Sequence, residues 1–139
     1  EQETAGLETM LLADPEHAAN HHSLAMCYVR EGRVSEGISH LEESLRLQPD
    51  YAEAHINLGI TLNSQRDPVR AIGHFRSALE IRPEYPDAHF NLGVALLMSG
   101  DEASARTHLV KAARLRPEMA AAIQSRAERM GLPGLVIDQ

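Results

Sequence analysis

Eight histidines in 139 residues make imidazole the first chemistry to weigh, since either ring nitrogen can ligate a transition metal. Six of them fall into two columns, His21, His55, His89 and His40, His74, His108, with members 34 residues apart. That spacing puts column neighbours on different helices, about one interaxial distance apart and too far to share a zinc without distortion. The second column precedes Leu41, Phe75 and Leu109 and is expected on the solvent side. His21-His22, with His17 nearby, is the one local cluster; these rings are read as packing or surface imidazoles, and neither metal nor cofactor is expected. No motif pairs a nucleophile with a base, the glycines form no phosphate-cradling loop, and Glu42-Glu43 is read as a solvated outer face. The chain is not expected to be an enzyme.

Cys27, the sole cysteine, excludes an internal disulfide and a cysteine-based metal knuckle. Between Met26 and Tyr28 it is read as a small buried hydrophobe, which points to a reducing compartment. A cytoplasmic location is expected, with a bacterial periplasm as the alternative. The balance of 13 Lys+Arg against 20 Asp+Glu, net −7, repels phosphate backbones, so nucleic acid is not an expected partner. No apolar run is long enough to span a bilayer, and no signal-peptide pattern is present. The chain starts at Glu1, in mid-pattern, as an excised piece of a longer protein would.

The elements that must position any site come from a repeat. Pro15, Pro49, Pro83 and Pro117 follow one another at intervals of 34, each trailed by an acid: Glu16, Asp50, Glu84, Glu118. A proline ends one helix and an adjacent acid favours the start of the next. Leu24, Leu58 and Leu92 form one column, followed by the small residues Ala25, Gly59 and Gly93; Tyr28, Leu62 and Leu96 lie one turn on. Gly37, Ala71 and Ala105 make a second small column, then Leu41, Phe75, Leu109 and Ser44, Ala78, Ala112. Large and small residues at spacings of three and four describe two amphipathic helices per unit, with axes about 8–10 Å apart. With aromatics at 4% and no Trp, this aliphatic, Ala-rich packing replaces a core built on large rings.

Gly32 and Gly100 sit where the first helix of a unit must stop and a left-handed residue is easiest. Asp67-Pro68 reads as an N-cap and first-turn proline, and Asp101 can cap the matching helix. Arg66 replaces the glycine in the second unit, predicting a strained or rearranged turn there. After Pro117 the pattern fades: Met119–Met130 is helical in composition, but Arg126 falls in the leucine column, as suits a cap helix with a wet face.

These units resemble tetratricopeptide repeats, on the stretches NLGITL…AIGHFRSALEIRP and NLGVALLMSGD…LRP. The resemblance covers Ala18–Met119; departures are Gly37 for the usual alanine, and His21, His55 and His89 where a large apolar residue is common. It implies an all-α, right-handed solenoid of antiparallel helix hairpins with a C-terminal capping helix. The expected divisions are 1–17, the second helix of a preceding repeat with Leu7, Met10 and Leu11 in its core columns; units at 18–51, 52–85 and 86–119; a cap at 120–130; and a tail or linker at 131–139.

In such arrays the first helices line a concave wall that can hold a peptide. The resemblance assigns the groove positions to Ala19, His22, Ser23 and Met26, to Glu53, Ile56, Asn57 and Ile60, and to Asp87, Phe90, Asn91 and Val94. Asn57 and Asn91, 34 apart, would stack along the groove and bracket a ligand backbone, one asparagine every few residues at about 3.3–3.6 Å per extended residue. This resembles the asparagine ladder of O-GlcNAc transferase-type repeats, with Ser23 interrupting it. The chaperone-type carboxylate clamp does not fit, since Asp87 would repel a carboxylate. The apolar residues Met26, Ile56, Ile60, Phe90 and Val94, with Glu53 and Asp87 on the rim, suit a partner protein or extended peptide of apolar to mildly basic character. Two alternatives are a recruiting or targeting region of a larger enzyme, such as a glycosyltransferase or sulfotransferase, and a self-assembling scaffold. Exposed end helices would favour a homodimer.

Overall fold

The structure, a computed structural model, describes residues 2–135 and 137. Glu1 and, in the tail at 131–139, Val136, Asp138 and Gln139 lie outside the described residues. Eight α-helices follow one another: α1 Gln2–Ala13, α2 Ala18–Arg30, α3 Val34–Leu47, α4 Ala52–Ser64, α5 Pro68–Ile81, α6 Pro86–Met98, α7 Glu102–Leu115 and α8 Ala120–Arg129. A single 3₁₀ turn, Pro117–Met119, leads into α8, and no strand occurs among the described residues. Helices α2–α3, α4–α5 and α6–α7 pack as hairpins, and each hairpin stacks on the next through α3 on α4 and α5 on α6. The chain is an all-α solenoid with α8 as its cap.

The repeating columns are the seam. Leu24, Leu58, Leu92, Leu41, Phe75 and Leu109 are all essentially inaccessible, as are Ala25, Ala71, Ala78, Ala105 and Ala112. Ser44 takes the same column as Ala78, and its hydroxyl donates to the Ala18 carbonyl at 2.9 Å, so this polar group enters the core satisfied.

The small columns trade places across the hairpin. A Cβ on Gly59 would lie 2.5 Å from Phe75 Cε1, and one on Gly93 would lie 2.7 Å from Leu109 Cγ. In the first unit the corresponding residue of the first helix is Ala25, and there the second helix carries Gly37 instead of alanine. A Cβ on Gly37 would meet Val29 Cγ2 at 2.6 Å and the Ala25 carbonyl oxygen at 3.1 Å. Each crossing therefore has one glycine, on one helix or the other. This explains the departure at Gly37.

The mid-unit turns are alike in all three units. Gly32 has φ 80° and Gly100 φ 89°, and Arg66 takes the same left-handed conformation at φ 63°. The amide of Gly32 donates to the Val29 carbonyl and that of Arg33 to Tyr28; Arg66 and Asp67 repeat this on Asn63 and Leu62 at 3.0 Å each. The turn at Arg66 is thus strained but not rearranged, because the cap bonds hold a residue with a Cβ where glycine is easier. Asp67 and Asp101 accept from the backbone amides of Arg70 and Ser104, both at 3.2 Å, while Arg33 supplies no side-chain cap to α3.

The two ends differ. Helix α1 rests on α2 through Leu11, Leu24 and Tyr28, and leaves Met10 and Leu12 51% and 86% exposed. At the other end Leu132 and Leu135 are buried against α7 and α8 with Ile123 and Ala127. The Arg106 guanidinium donates to the Pro133 and Gly134 carbonyls at 3.0 and 3.4 Å. Residues 132–135 are thus folded back on the last hairpin.

Candidate functional site

The first helices touch one another in succession, α2 on α4 and α4 on α6, with no comparable contact among α3, α5 and α7. The first helices therefore line the inner side of the curve. Between α4, α6 and α8 this wall opens into a cleft of about 340 Å³, lined by Ile60, Asn63, Ser64, Asn91, Val94, Met98, Arg126 and Met130. Ile60, Asn91 and Val94 are among the residues expected from the sequence. Asn63, Ser64 and Met98 extend the same faces of α4 and α6 by a turn, since Ser64 lies four residues past Ile60 and Met98 four past Val94. Arg126 and Met130 could be placed only once α8 was seen to close the end of the wall.

The two asparagines are engaged differently. Asn57 brings its Nδ2 to 2.8 Å from His22 Nε2, and His22 Nδ1 lies 3.2 Å from the Tyr51 hydroxyl. Asn91 instead donates from Nδ2 to the Asp87 carbonyl, 2.8 Å away on its own helix. Burial pushes the His22 imidazole below its ordinary range, and the Glu53 charge opposes that shift. Among the described buried side-chain atoms, Asn63 Oδ1 is without a hydrogen-bond partner. A buried acceptor left bare costs about 1–3 kcal/mol.

The remaining expected residues are spread along the wall. Ser23 and Ala19 are exposed, Met26 is half-buried against the main core, and Ile56 and Val94 are each 5% exposed. Ile56 spends its surface on the core and has little left for a ligand. Phe90 is half-buried, with the Arg126 guanidinium carbon 6.0 Å from its ring centre. Glu53 and Asp87 are each met by an arginine from the far end of the same unit, Arg82 at 3.0 Å and Arg116 at 3.2 Å. The rim acids are therefore offset, a pairing invisible while each helix was read by itself. Arg126 has no ion pair among the described residues.

The two histidine columns, read separately from the sequence, meet in space. Nδ1 of His21, His55 and His89 lies 2.9, 3.1 and 3.0 Å from Nδ1 of His40, His74 and His108. His40, His74 and His108 are half-buried rather than solvent-facing, because the neighbouring helix brings an imidazole to each. The offset of 19 between the columns is the signal that could have joined them. Burial, and next the charge of the partner ring, hold all three below the ordinary histidine range. Among the described residues no group of three or more His, Cys, Asp or Glu side chains is arranged to hold a metal ion. Cys27 is buried, and no helix is long and apolar enough to cross a membrane.

Two family profiles, both described as tetratricopeptide repeat, match residues 16–84 and 62–127. A crystal structure of MamA superposes with a TM-score of 0.82 at 24% identity, over 95% of this chain and 79% of that one. A second MamA crystal structure gives 0.76 at 21% identity, over 85% and 64%. A mutant form of MamA gives 0.71 at 24%, over 81% and 65%. At these identities the likeness is one of fold. Comparison with curated proteins yields no match.

Proposed function

The chain belongs to the tetratricopeptide repeat family, and we propose that its inner wall receives an extended segment of another protein, apolar to mildly basic in character. Arrays of this family serve as protein-interaction scaffolds, and here a preformed wall costs little to organise on binding. The observation that carries the proposal is the cleft between α4, α6 and α8. Its floor is apolar through Ile60, Val94, Met98 and Met130, and it holds the amides of Asn63 and Asn91. Apolar walls anchor a ligand side chain, while amides orient its backbone without reading its sequence. Asn57, held by His22, extends this polar line towards α2.

Because Arg82 and Arg116 offset Glu53 and Asp87, selection rests first on apolar character. The net charge of −7 then disfavours strongly acidic segments at long range. Peptide-library binding to the intact array, compared with an Asn57→Ala/Asn91→Ala double variant, tests this. Apolar binders are expected to lose at least tenfold in affinity in a variant whose circular dichroism is unchanged. Equal binding by the variant would move function out of the groove, and selection of acidic tails would overturn the ligand class.

A further inference from the structure

Each hairpin holds the same three-part arrangement, away from the inner wall. Nε2 of His21, His55 and His89 lies 2.8, 3.0 and 2.9 Å from the carbonyl oxygens of Pro15, Pro49 and Pro83. Nδ1 of the same rings faces Nδ1 of His40, His74 and His108 on the second helix. A carbonyl oxygen only accepts, so Nε2 of the first ring carries a hydrogen. When that ring is neutral its Nδ1 is bare and accepts, and the second ring must donate from Nδ1. Nε2 of His40, His74 and His108 is then the one ring nitrogen in each unit with a lone pair unused by this arrangement. A proton can enter there and the second ring still donates. A further proton could go only onto Nδ1 of the first ring, setting two N–H groups and two positive charges against each other about 3 Å apart.

We propose that the three histidine pairs are proton-loading sites, each taking one proton at Nε2 of His40, His74 or His108 while the bond between the helices persists, and opening that bond only when a second proton is forced in. This goes beyond the groove and does not depend on it. His40 and His108 line equivalent clefts two units apart. Leu11, Leu24 and His40 in one become Leu79, Leu92 and His108 in the other.

The surroundings set the order of loading. His40 faces Glu8 from α1, Glu36 and Glu43 on its own helix, and the Tyr28 ring of α2 at 5.4 Å. His74 faces Arg70, which pairs with Glu42 of α3 at 3.6 Å. His108 faces Arg76 of α5, with Glu80 in the same cleft. Acids favour the cation and arginines oppose it, so the first hairpin loads at the highest pH.

Long-range ¹H–¹⁵N spectra of the histidine rings between pH 8 and pH 5 test this, with His40→Asn and His74→Asn used for assignment. At pH 8, His21, His55 and His89 are expected with the hydrogen on Nε2 and their partners with it on Nδ1. On acidification Nε2 of His40 is expected to gain a hydrogen first, then Nε2 of His74 and His108, while the Nδ1 contact to the first-helix ring persists through this first loading. The opposite tautomers, or six histidines titrating independently with free-imidazole behaviour, would overturn the proposal, and the unsubstituted protein alone decides between these outcomes.

Discussion

Alanine at Gly59 and alanine at Gly73 are the same substitution in neighbouring helices, and opposite effects are expected. In a helix interior, glycine to alanine gains about 1 kcal/mol, from the restricted unfolded chain and better helix propensity. At Gly73 nothing lies within 4 Å of the added Cβ, so that gain stands alone. At Gly59 the Cβ would sit 2.5 Å from Phe75 Cε1 and 2.8 Å from two further ring atoms. Phe75 is wholly buried and has no free rotamer to retreat into, so α4 and α5 must part. Overpacking of this kind costs about 1–3 kcal/mol and matches or outweighs the intrinsic gain. The shared intrinsic gain cancels, so the two variants should differ by about 1–3 kcal/mol, Gly73→Ala above the parent and Gly59→Ala at or below it. Urea unfolding followed by circular dichroism at constant slope measures both. If Gly59→Ala proved as stabilising as Gly73→Ala, the contact between the Gly59 backbone and Phe75 would not be the constraint inferred here.

Burial, and next the 2.6 Å hydrogen bond to Glu8, push the Tyr28 phenol up to about 12. Its contribution to stability is full below the ordinary tyrosine value of about 10 and is lost as pH rises through about 12. Burial raises the Tyr51 and Tyr85 phenols as well, so the test is a phase near pH 12 in the absorbance at 295 nm that Tyr28→Phe removes; a parent lacking that phase would refute it. Asp67→Ala deletes the side-chain cap on the Arg70 amide and should cost about 1 kcal/mol in thermal or urea unfolding, whereas an unchanged midpoint would mean the cap adds nothing.

The hairpins were legible because a period of 34 repeats large and small residues that only one packing satisfies. Leu58, Gly59 and Phe75 announce the crossing before any coordinates exist. Gly37 looked like a flaw in that column and is instead the counterpart of Ala25, something visible only when both helices are seen together. The site was less legible for the same reason. Asn91 and Ile60 could be placed on a helix face, but the bond from Asn57 to His22 and the arginines on Glu53 and Asp87 join residues 29 to 35 positions apart. Periodicity within one helix carries no information about such pairs. The histidines show the limit most clearly: each column was found, and their meeting across the hairpin was not.

Leu132 and Leu135 have one more consequence. They lie against α7 and α8, on the flank where another hairpin would have to dock to carry the superhelix onward. A grafted fourth unit would find that berth taken, and would first have to peel this peptide from Arg106. The natural splice point for lengthening the array is therefore upstream, after Arg116, where the 34-residue rhythm is still intact.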